Sequence, residues 1–335
     1  MRSRHRVRFA SPENAEVIRE EVPDPGTNQL FVRTKYSAVS PGTERLVYQG
    51  NAPTDLPADS TIEALQDEQL TYPISYGYAC VGTVEEVGRD VDDQWLNSRV
   101  FAFQPHVSGF VASPENVIRL PDSVDSEDAV LIPSLETAVT LAMDGRPVVG
   151  ERALIFGQGI IGILTARLLK IHPLRDVVAV DQLPSRRRPA QAFGVEVLAS
   201  AEELESDRGA STERFDLVYE LTGNPAALNE AIQQTGYEGR LVVGSWYGTD
   251  SASLALGGHY HRSRMKIIAS QVSTIGAAYQ GRWTKDRRMN VVLGLMNDVC
   301  PSQFISDRFQ IEDAPAAYEK LVDDPSMLQP VFVYD

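Results

Sequence analysis

The run Phe156-Gly157-Gln158-Gly159-Ile160-Ile161-Gly162 has the residue types and spacing of a loop that cradles a pyrophosphate. Gly157 permits a tight turn, Gly159 lets backbone N–H groups approach the phosphates, and Gly162 lets the next helix pack on the preceding strand. Residues 152–156 before it are apolar and strand-like, and after it Ile161, Leu164, Leu168 and Leu169 recur at helical spacing. A second apolar run, 176–180, ends in Asp181, nineteen residues beyond Gly162. Strand, glycine turn, helix, strand and terminal acid predict a dinucleotide-binding unit, with the phosphates facing the positive end of the helix around Gln158, Ile160 and Ile161. Asp181 can accept hydrogen bonds from ribose hydroxyls and repels a 2′-phosphate, which favours NAD over NADP. The run Arg186-Arg187-Arg188 pulls the other way, since arginines also hold phosphate, or it is a solvated first helical turn. The plainer alternative for the whole pattern is a glycine-rich turn in some other α/β protein.

The elements that must position this loop fall into two groups. Up to Pro133 the chain is strand-rich, with candidate strands at 6–10, 16–22, 29–40, 79–87, 99–103 and 109–120, broken by proline and glycine. Short strands without intervening helices predict a small barrel-like β domain. Between Asn51 and Pro73 lies an acidic insertion whose middle, 60–70, reads as one amphipathic helix capped by Ser60 with Ile62 and Leu65 buried. It is a lid or a surface elaboration. From 133 to 273 strands and helices alternate, as a parallel sheet requires, with strands at 195–198, 215–221, 240–245 and 266–270. A helix at 285–296, a strand near 304–309, a helix at 314–322 capped by Asp313 and a strand at 330–334 complete the chain. The expected class is α/β, with residues 1–132 and 274–335 forming a discontinuous β-rich domain around a doubly wound nucleotide domain at 133–273.

Composition narrows the partners. The chain has 335 residues, enough for two cores, and a formal net charge of −15. Such a surface repels nucleic acid and anionic membranes. Acid excess with only five lysines, Lys35, Lys170, Lys266, Lys285 and Lys320, fits a halophilic protein whose self-repulsion is screened by salt. Cys80 and Cys300 cannot build a disulfide framework or a four-thiolate zinc site. The basic N-terminus, Met1 to Arg6, lacks the apolar core of a signal peptide, and no stretch approaches a membrane span. A cytoplasmic protein is expected.

The order of these parts resembles the medium-chain dehydrogenase/reductase superfamily over essentially the whole chain. The resemblance implies a GroES-like catalytic domain and a Rossmann domain. Glu136-Thr137-Ala138 lies where that superfamily has a threonine on the nicotinamide side, and Asp181 to Gly194 keeps the spacing from the ribose-binding acid to the end of the next helix. Arg186 stands where a basic residue lies beside that ribose. Thr222, Gly244, Ser245 and Ser270 fall at strand ends that border the cofactor. Where relatives carry a pyrophosphate-binding arginine near the C-terminus, this chain has Gln329-Pro330. The fifth and sixth strands lie where relatives pair nucleotide domains, which implies a homodimer.

The superfamily's zinc chemistry does not carry over. Its Cys-Gly-x-Asp turn reads Pro41-Gly42-Thr43-Glu44 here, its Gly-His-Glu reads Gly77-Tyr78-Ala79, and the third-ligand region reads Ile132-Pro133-Ser134-Leu135. Proline, tyrosine and alanine leave too few nitrogen and sulfur donors, so no metal is expected. Four segments resemble the zinc-lacking group around bacteriochlorophyllide hydroxyethyl dehydrogenase: 38–44, 76–78, 103–106, and 270–272 with Arg282-Trp283. An alcohol-oxidising nicotinamide enzyme without zinc needs a side chain to take the proton. Thr43, matching a substrate-binding hydroxyl, Glu44, Tyr78 in the emptied zinc pocket and His106 are the candidates. Each has a structural alternative: Glu44 holding its turn, Tyr78 filling volume, His106 bonding at a strand end. Glu136 reads as a helix N-terminal acid, and His259-Tyr260-His261 as loop.

The expectation is therefore a zinc-free, NAD-dependent dehydrogenase interconverting a secondary alcohol and a ketone. An NADPH-dependent quinone or enone reductase and a non-catalytic nucleotide-binding interaction protein remain as alternatives.

Overall fold

Residues 2–22 alternate in burial as an antiparallel pair must, with Val7 and Phe9 turned inward and the arginines of the same strand turned out. These are β1 (Arg2–Ser11) and β2 (Asn14–Val22), in register Arg4↔Glu20 and Arg8↔Glu16, so that opposite charges face across the ladder. The computed structural model describes residues 2–207 and 213–335, and Met1, which opens the basic stretch, lies outside them. There follow β3 (Leu30–Ala38), α1 (Thr43–Gln49), β4 (Cys80–Val87), β5 (Arg99–Ala102), β6 (Gly109–Ala112), β7 (Ile118–Arg119), α2 (Ser126–Ala129) and α3 (Ile132–Gly145). Then strands and helices alternate: β8 (Arg152–Phe156), α4 (Ile160–Ile171), β9 (Asp176–Val180), α5 (Pro184–Ala192), β10 (Glu196–Leu198), α6 (Ala201–Asp207), β11 (Phe215–Glu220), α7 (Ala227–Gln234), β12 (Thr235–Val243) and β13 (Lys266–Ala269). The tail forms α8 (Lys285–Val299), β14 (Asp307–Gln310), α9 (Ala314–Asp323) and β15 (Pro330–Val333).

Two compact units result, Met1–Pro133 with Met296–Asp335, and Ser134–Leu295. The first holds a seven-stranded sheet in the order β14-β15-β3-β4-β5-β7, with β6 also on β3. All its pairs are antiparallel except β14 with β15. The second holds a six-stranded, wholly parallel sheet in the order β10-β9-β8-β11-β12-β13. That is the doubly wound order, and its direction reverses between β8 and β11. Central strands there are apolar on both faces: Leu154, Ile155, Leu217 and Val218 are fully buried in two clusters on opposite sides.

Several expectations need correction. The insertion forms no helix over 60–70; only Glu63–Leu65 makes one 3₁₀ turn, and Ile62, not Ser60, precedes it without a side-chain cap. Leu65 and Leu70 are nonetheless buried in the first unit's core, so the segment is anchored there rather than standing free as a lid. The run 109–120 splits into β6 and β7 around Pro114, which cannot donate to a ladder. Asp313 precedes α9 without a side-chain capping bond. Residues 274–295 pack with the nucleotide unit, whereas a division after 273 was expected. Tyr279 donates to Met143 O, and Arg288 ties its helix to α3, which holds that stretch in place. Among the described residues, no helix is long and apolar enough to cross a membrane.

Candidate cofactor cradle and buried acid–base cluster

In the second unit the glycine turn closes between β8 and α4. Gly157 has φ +91°, and its N–H donates to Val180 O at 2.8 Å. A side chain there would also meet Leu221 O at 2.7 Å, so glycine is required twice over. At Gly162 a Cβ would lie 2.0 Å from Gly157 O, so helix and turn approach as closely as backbones can. Gly159 differs: only Arg186 Nη1, at 3.9 Å, lies near its would-be Cβ. The space over Gly159 is open, and α4 begins behind it with no side chain capping its amides. This is the geometry that receives an anion at a helix N-terminus. Gln158 is fully buried, its Nε2 bonded to Gly157 O and its Oε1 left without a partner. Ile160 is buried and Ile161 packs into the core, so both fix the helix rather than reach outward.

Asp181 follows β9 beside this turn. Its two carboxylate oxygens accept the N–H groups of Gln158, at 2.7 Å, and Leu183, at 2.8 Å. Each oxygen keeps a further lone pair, so the group is held rigid while still able to accept ribose hydroxyls. Arg187 donates to Asp181 O and Gln182 O, both at 2.9 Å. Arg186 is the arginine of the run that reaches the glycine turn.

The remaining cofactor candidates line the carboxyl ends of β11 to β13. The hydroxyl of Thr222 donates to the fully buried Glu220, which also accepts Thr222 N at 2.8 Å. Tyr247 donates to the same carboxylate, and burial together with this bond raises the Tyr247 phenol well above its ordinary range. Ser245 Oγ accepts Gly223 N at 2.9 Å. Gly244 is needed for packing, since a Cβ would come 2.6 Å from Leu221 and 2.7 Å from Leu141. The Ser270 hydroxyl is engaged by Asp144 Oδ2 at 2.7 Å, so it shapes the strand end. Thr137 is half-buried on α3. His259, read as loop, bonds Thr235 O at 2.8 Å and Ser263 Oγ at 3.0 Å.

In the first unit the four catalytic candidates do come together. α1 starts at Thr43, and Glu44 folds back so that Ser40 N donates to its Oε1 at 2.8 Å while Glu44 N donates to Ser40 O at 3.0 Å. Its Oε2 accepts His106 Nε2 at 2.9 Å and Tyr318 OH at 2.5 Å. On the far side of the ring, His106 Nδ1 lies 2.7 Å from Ser37 Oγ, which lies 2.7 Å from Tyr334 OH. Glu44, His106 and Ser37 have no exposed surface. A carboxylate only accepts, so Nε2 carries a proton. With the ring neutral, the bonds run one way: Tyr334 to Ser37, Ser37 to His106, His106 to Glu44. Gly77, at φ +112°, makes room, because a Cβ would sit 2.7 Å from the imidazole.

Tyr78 is the candidate at the surface of this cluster. It is half-buried, and its phenol faces the hydroxyls of Ser40 and Thr43. Burial, then the Glu44 charge behind it, pushes that phenol up to about 12. Sequence reasoning missed Ser37, Tyr318 and Tyr334, which lie on β3, α9 and the end of the chain; nothing in their local pattern marks them as polar partners. Among the described residues, no group of three or more His, Cys, Asp and Glu side chains is placed to hold a metal ion.

Residues 161–289 match the profile of the zinc-binding dehydrogenase family. The chain is 26% identical over 259 residues to (R,R)-butanediol dehydrogenase of Bacillus subtilis strain 168, covering 68% of this chain and 72% of that protein. Among solved structures, it resembles the short chain alcohol dehydrogenase RspB of Escherichia coli CFT073 complexed with NADH, with TM-score 0.79, 16% identity and 99% of each chain covered. It also resembles a zinc-binding dehydrogenase of Sinorhizobium meliloti 1021 bound to NADP, with TM-score 0.76, 16% identity and 99% and 100% coverage. These likenesses do not single out the zinc-lacking subgroup. The family match covers residues 161–289, and the solved structures share the α/β fold of the whole chain.

Proposed function

We propose that the protein is a zinc-independent, NAD-dependent dehydrogenase that interconverts a secondary alcohol and a ketone. The observation that carries this reading is the hydroxyl cluster Tyr78–Ser40–Thr43 backed by the buried Glu44–His106 pair. By the sequence resemblance, Tyr78 takes the position of a metal-binding histidine, and Ser40 and Thr43 flank Pro41, at the position of a metal-binding cysteine. Zinc does not fit these donors: both His106 nitrogens are occupied within the cluster, and the Cys80 thiol is fully buried against Pro105 O, at 3.3 Å. Burial also pushes that thiol up to about 12, away from the thiolate a metal needs.

The residues of the cradle do fit a nicotinamide dinucleotide, which when bound supplies or accepts the hydride. Gly159 and the α4 N-terminus would hold its pyrophosphate, and Asp181 would orient its adenosine ribose. In reduction the Tyr78 phenol would give its proton to the carbonyl oxygen and be left as phenolate. Oxidation would start from that phenolate, which takes the alcohol proton back. The raised phenol therefore favours the reductive direction, with Thr43 and Ser40 beside the Tyr78 oxygen. Glu44 and His106 are sealed from solvent, so they position the turn rather than touch substrate. Arg186 beside Gly159 favours a second reading, an NADPH-dependent quinone or enone reductase, in which it would hold the 2′-phosphate. We further read the protein as a cytoplasmic homodimer adapted to salt: its net charge is −15, and β13 leaves one edge of the parallel sheet uncovered.

The test is a titration of EDTA-dialysed protein in high salt with NADH and with NADPH, followed by turnover on 2,3-butanediol and acetoin. NADH binding that is tighter by about tenfold or more, and turnover that added zinc does not raise, are expected. Activity lost on dialysis and restored by zinc would sink the zinc-free reading. Tighter NADPH binding would put the reductase first, and binding of neither would put a non-catalytic role first.

A further inference from the structure

Arg288 is the largest fully buried side chain, 1% exposed, and the coenzyme reading does not use it. It sits in the first turn of α8, four residues before Val292 and eight before Met296, on the helix's buried stripe. Its guanidinium spends all five N–H groups. Nη2 donates to Glu136 Oε1 at 2.7 Å and Val272 O at 2.7 Å, Nε to Glu136 Oε1 at 3.1 Å, and Nη1 to Thr140 Oγ1 at 3.0 Å and Thr274 O at 3.4 Å. Thr140 in turn donates to Glu136 O at 2.9 Å. One cation thus joins α3 to the segment that leaves β13.

The position of this clamp follows from contacts along α3. Gly145, at its end, packs on Leu217 and Tyr219; Leu141, one turn earlier, receives the Tyr219 hydroxyl on its carbonyl and packs against Gly244. From 145 to 141 the helix therefore moves toward the carboxyl ends of β11 and β12. Another turn carries Thr137 and Glu136 beyond that edge, where the 270–274 segment also emerges. In a doubly wound sheet the dinucleotide crosses the switch point, here between β8 and β11, with one half on each side. Asp181 marks the β9 side as the adenosine half. The clamp lies on the other side.

We propose that Arg288 is a positioning residue for the nicotinamide half of the coenzyme, holding Thr137 and the 272–274 backbone at one fixed separation. The proposal rests on the reading of the second unit as a nicotinamide-dinucleotide site. A buried guanidinium bridging two carbonyls and a carboxylate suits this task, because lysine cannot span the same fork. The distinguishing ligand is ADP-ribose, which has the pyrophosphate and adenosine but no nicotinamide.

Wild type, Arg288→Met, Arg288→Lys and Thr140→Val are titrated with NADH and with ADP-ribose by calorimetry, and exchange of the 270–284 amides is measured alongside. The expected result is NADH weakened about tenfold or more in Arg288→Met, with ADP-ribose unchanged within about twofold. Arg288→Lys and Thr140→Val should shift the NADH to ADP-ribose ratio the same way by less, and amide exchange should quicken in 270–284. Equal weakening of both ligands, or of neither, overturns the proposal. If Arg288→Met does not fold, the ratio in Thr140→Val decides. Failure of the wild type to bind either ligand would instead remove the dinucleotide reading itself.

Discussion

Glu44 offers the sharpest quantitative test, because three donors converge on a carboxylate with no exposed surface. Removing the side chain in Glu44→Ala leaves Ser40 N, His106 Nε2 and Tyr318 OH facing a void. Orphaning these three buried donors costs about 3–5 kcal/mol in all, at the lower end of the usual range per donor. For a domain of this size that is a fall in midpoint of roughly 6–20 °C. Glu44→Gln is the informative contrast. If its amide oxygen keeps Ser40 N, its NH₂ points at His106 and Tyr318. Tyr318 can rotate its hydroxyl to accept. His106 can accept as well, provided its proton moves to Nδ1, after which Ser37 accepts from the ring and donates to Tyr334. The chain reverses direction, and the donors that lose their acceptors are the hydroxyl protons of Tyr318 and Tyr334. The cost is the charge assistance together with those two hydroxyls, about 2–3 kcal/mol in total and less than that of Glu44→Ala. Urea unfolding should therefore rank wild type, Glu44→Gln and Glu44→Ala in that order. Nitrogen-15 NMR of the histidines should show His106 protonated on Nε2 in the wild type and on Nδ1 in Glu44→Gln. A Glu44→Gln variant as unstable as Glu44→Ala, or an unchanged tautomer, would refute the reversible chain.

Two further outcomes concern single atoms. The Cys80 thiol is pushed by burial from its ordinary value up to about 12, and a raised folded value means stability that is complete below pH about 9 and lost as pH climbs toward 12. Between pH 9 and 10.5 the wild type should lose about 2 kcal/mol through this group, and Cys80→Ala should lack that part of the slope in denaturant titrations. Glycine replacements should split by space. Gly162→Ala puts a carbon 2.0 Å from Gly157 O and should cost about 1–3 kcal/mol while weakening NADH. Gly294→Ala, inside α8 with nothing within 4 Å, should stabilise by about 0.5–1 kcal/mol. Calorimetric midpoints that do not separate the two in sign would contradict the contact geometry.

The two candidate sites, one in each unit, differ in how much of them can be read from sequence, and the reason is physical. The cradle is built by backbone, and backbone needs declare themselves locally: Gly157, Gly159, Gly162 and Asp181 lie within one strand–helix–strand unit. The acid–base cluster is built by side chains from β3, α1, the 106 loop, α9 and the C-terminal end. Its members are separated by as many as 297 positions, as between Ser37 and Tyr334. Glu44 and Tyr78 were found because their segments could be matched to a metal-binding pattern that they break, and His106 because a histidine closes an apolar strand. Arg288 was within reach of periodicity, since an arginine on the Val292–Met296 stripe must find buried acceptors. The insertion was misread because Ile62 and Leu65 fit a helical stripe, yet they are buried by an irregular chain whose Leu70 is buried beside them. Burial was right there and helicity was not.

That contrast bears on what a site without metal requires. A zinc ion stabilises alkoxide by its own charge, whereas a tyrosine serves by holding a proton until the substrate oxygen needs it. On the proposed reading Tyr78 is such a tyrosine and must stay protonated until it acts, and two features act in that direction. Burial raises the phenol, and Glu44 keeps a negative charge behind it. An exposed Glu44 would be screened and would lose this effect, so sealing the carboxylate is part of the device. Sealing it demands donors, which Ser40, His106 and Tyr318 supply, and His106 demands an acceptor or donor on its other nitrogen, which Ser37 and Tyr334 supply. On the proposed reading, each buried partner follows from the one before it, beginning from the need to keep one half-buried phenol neutral.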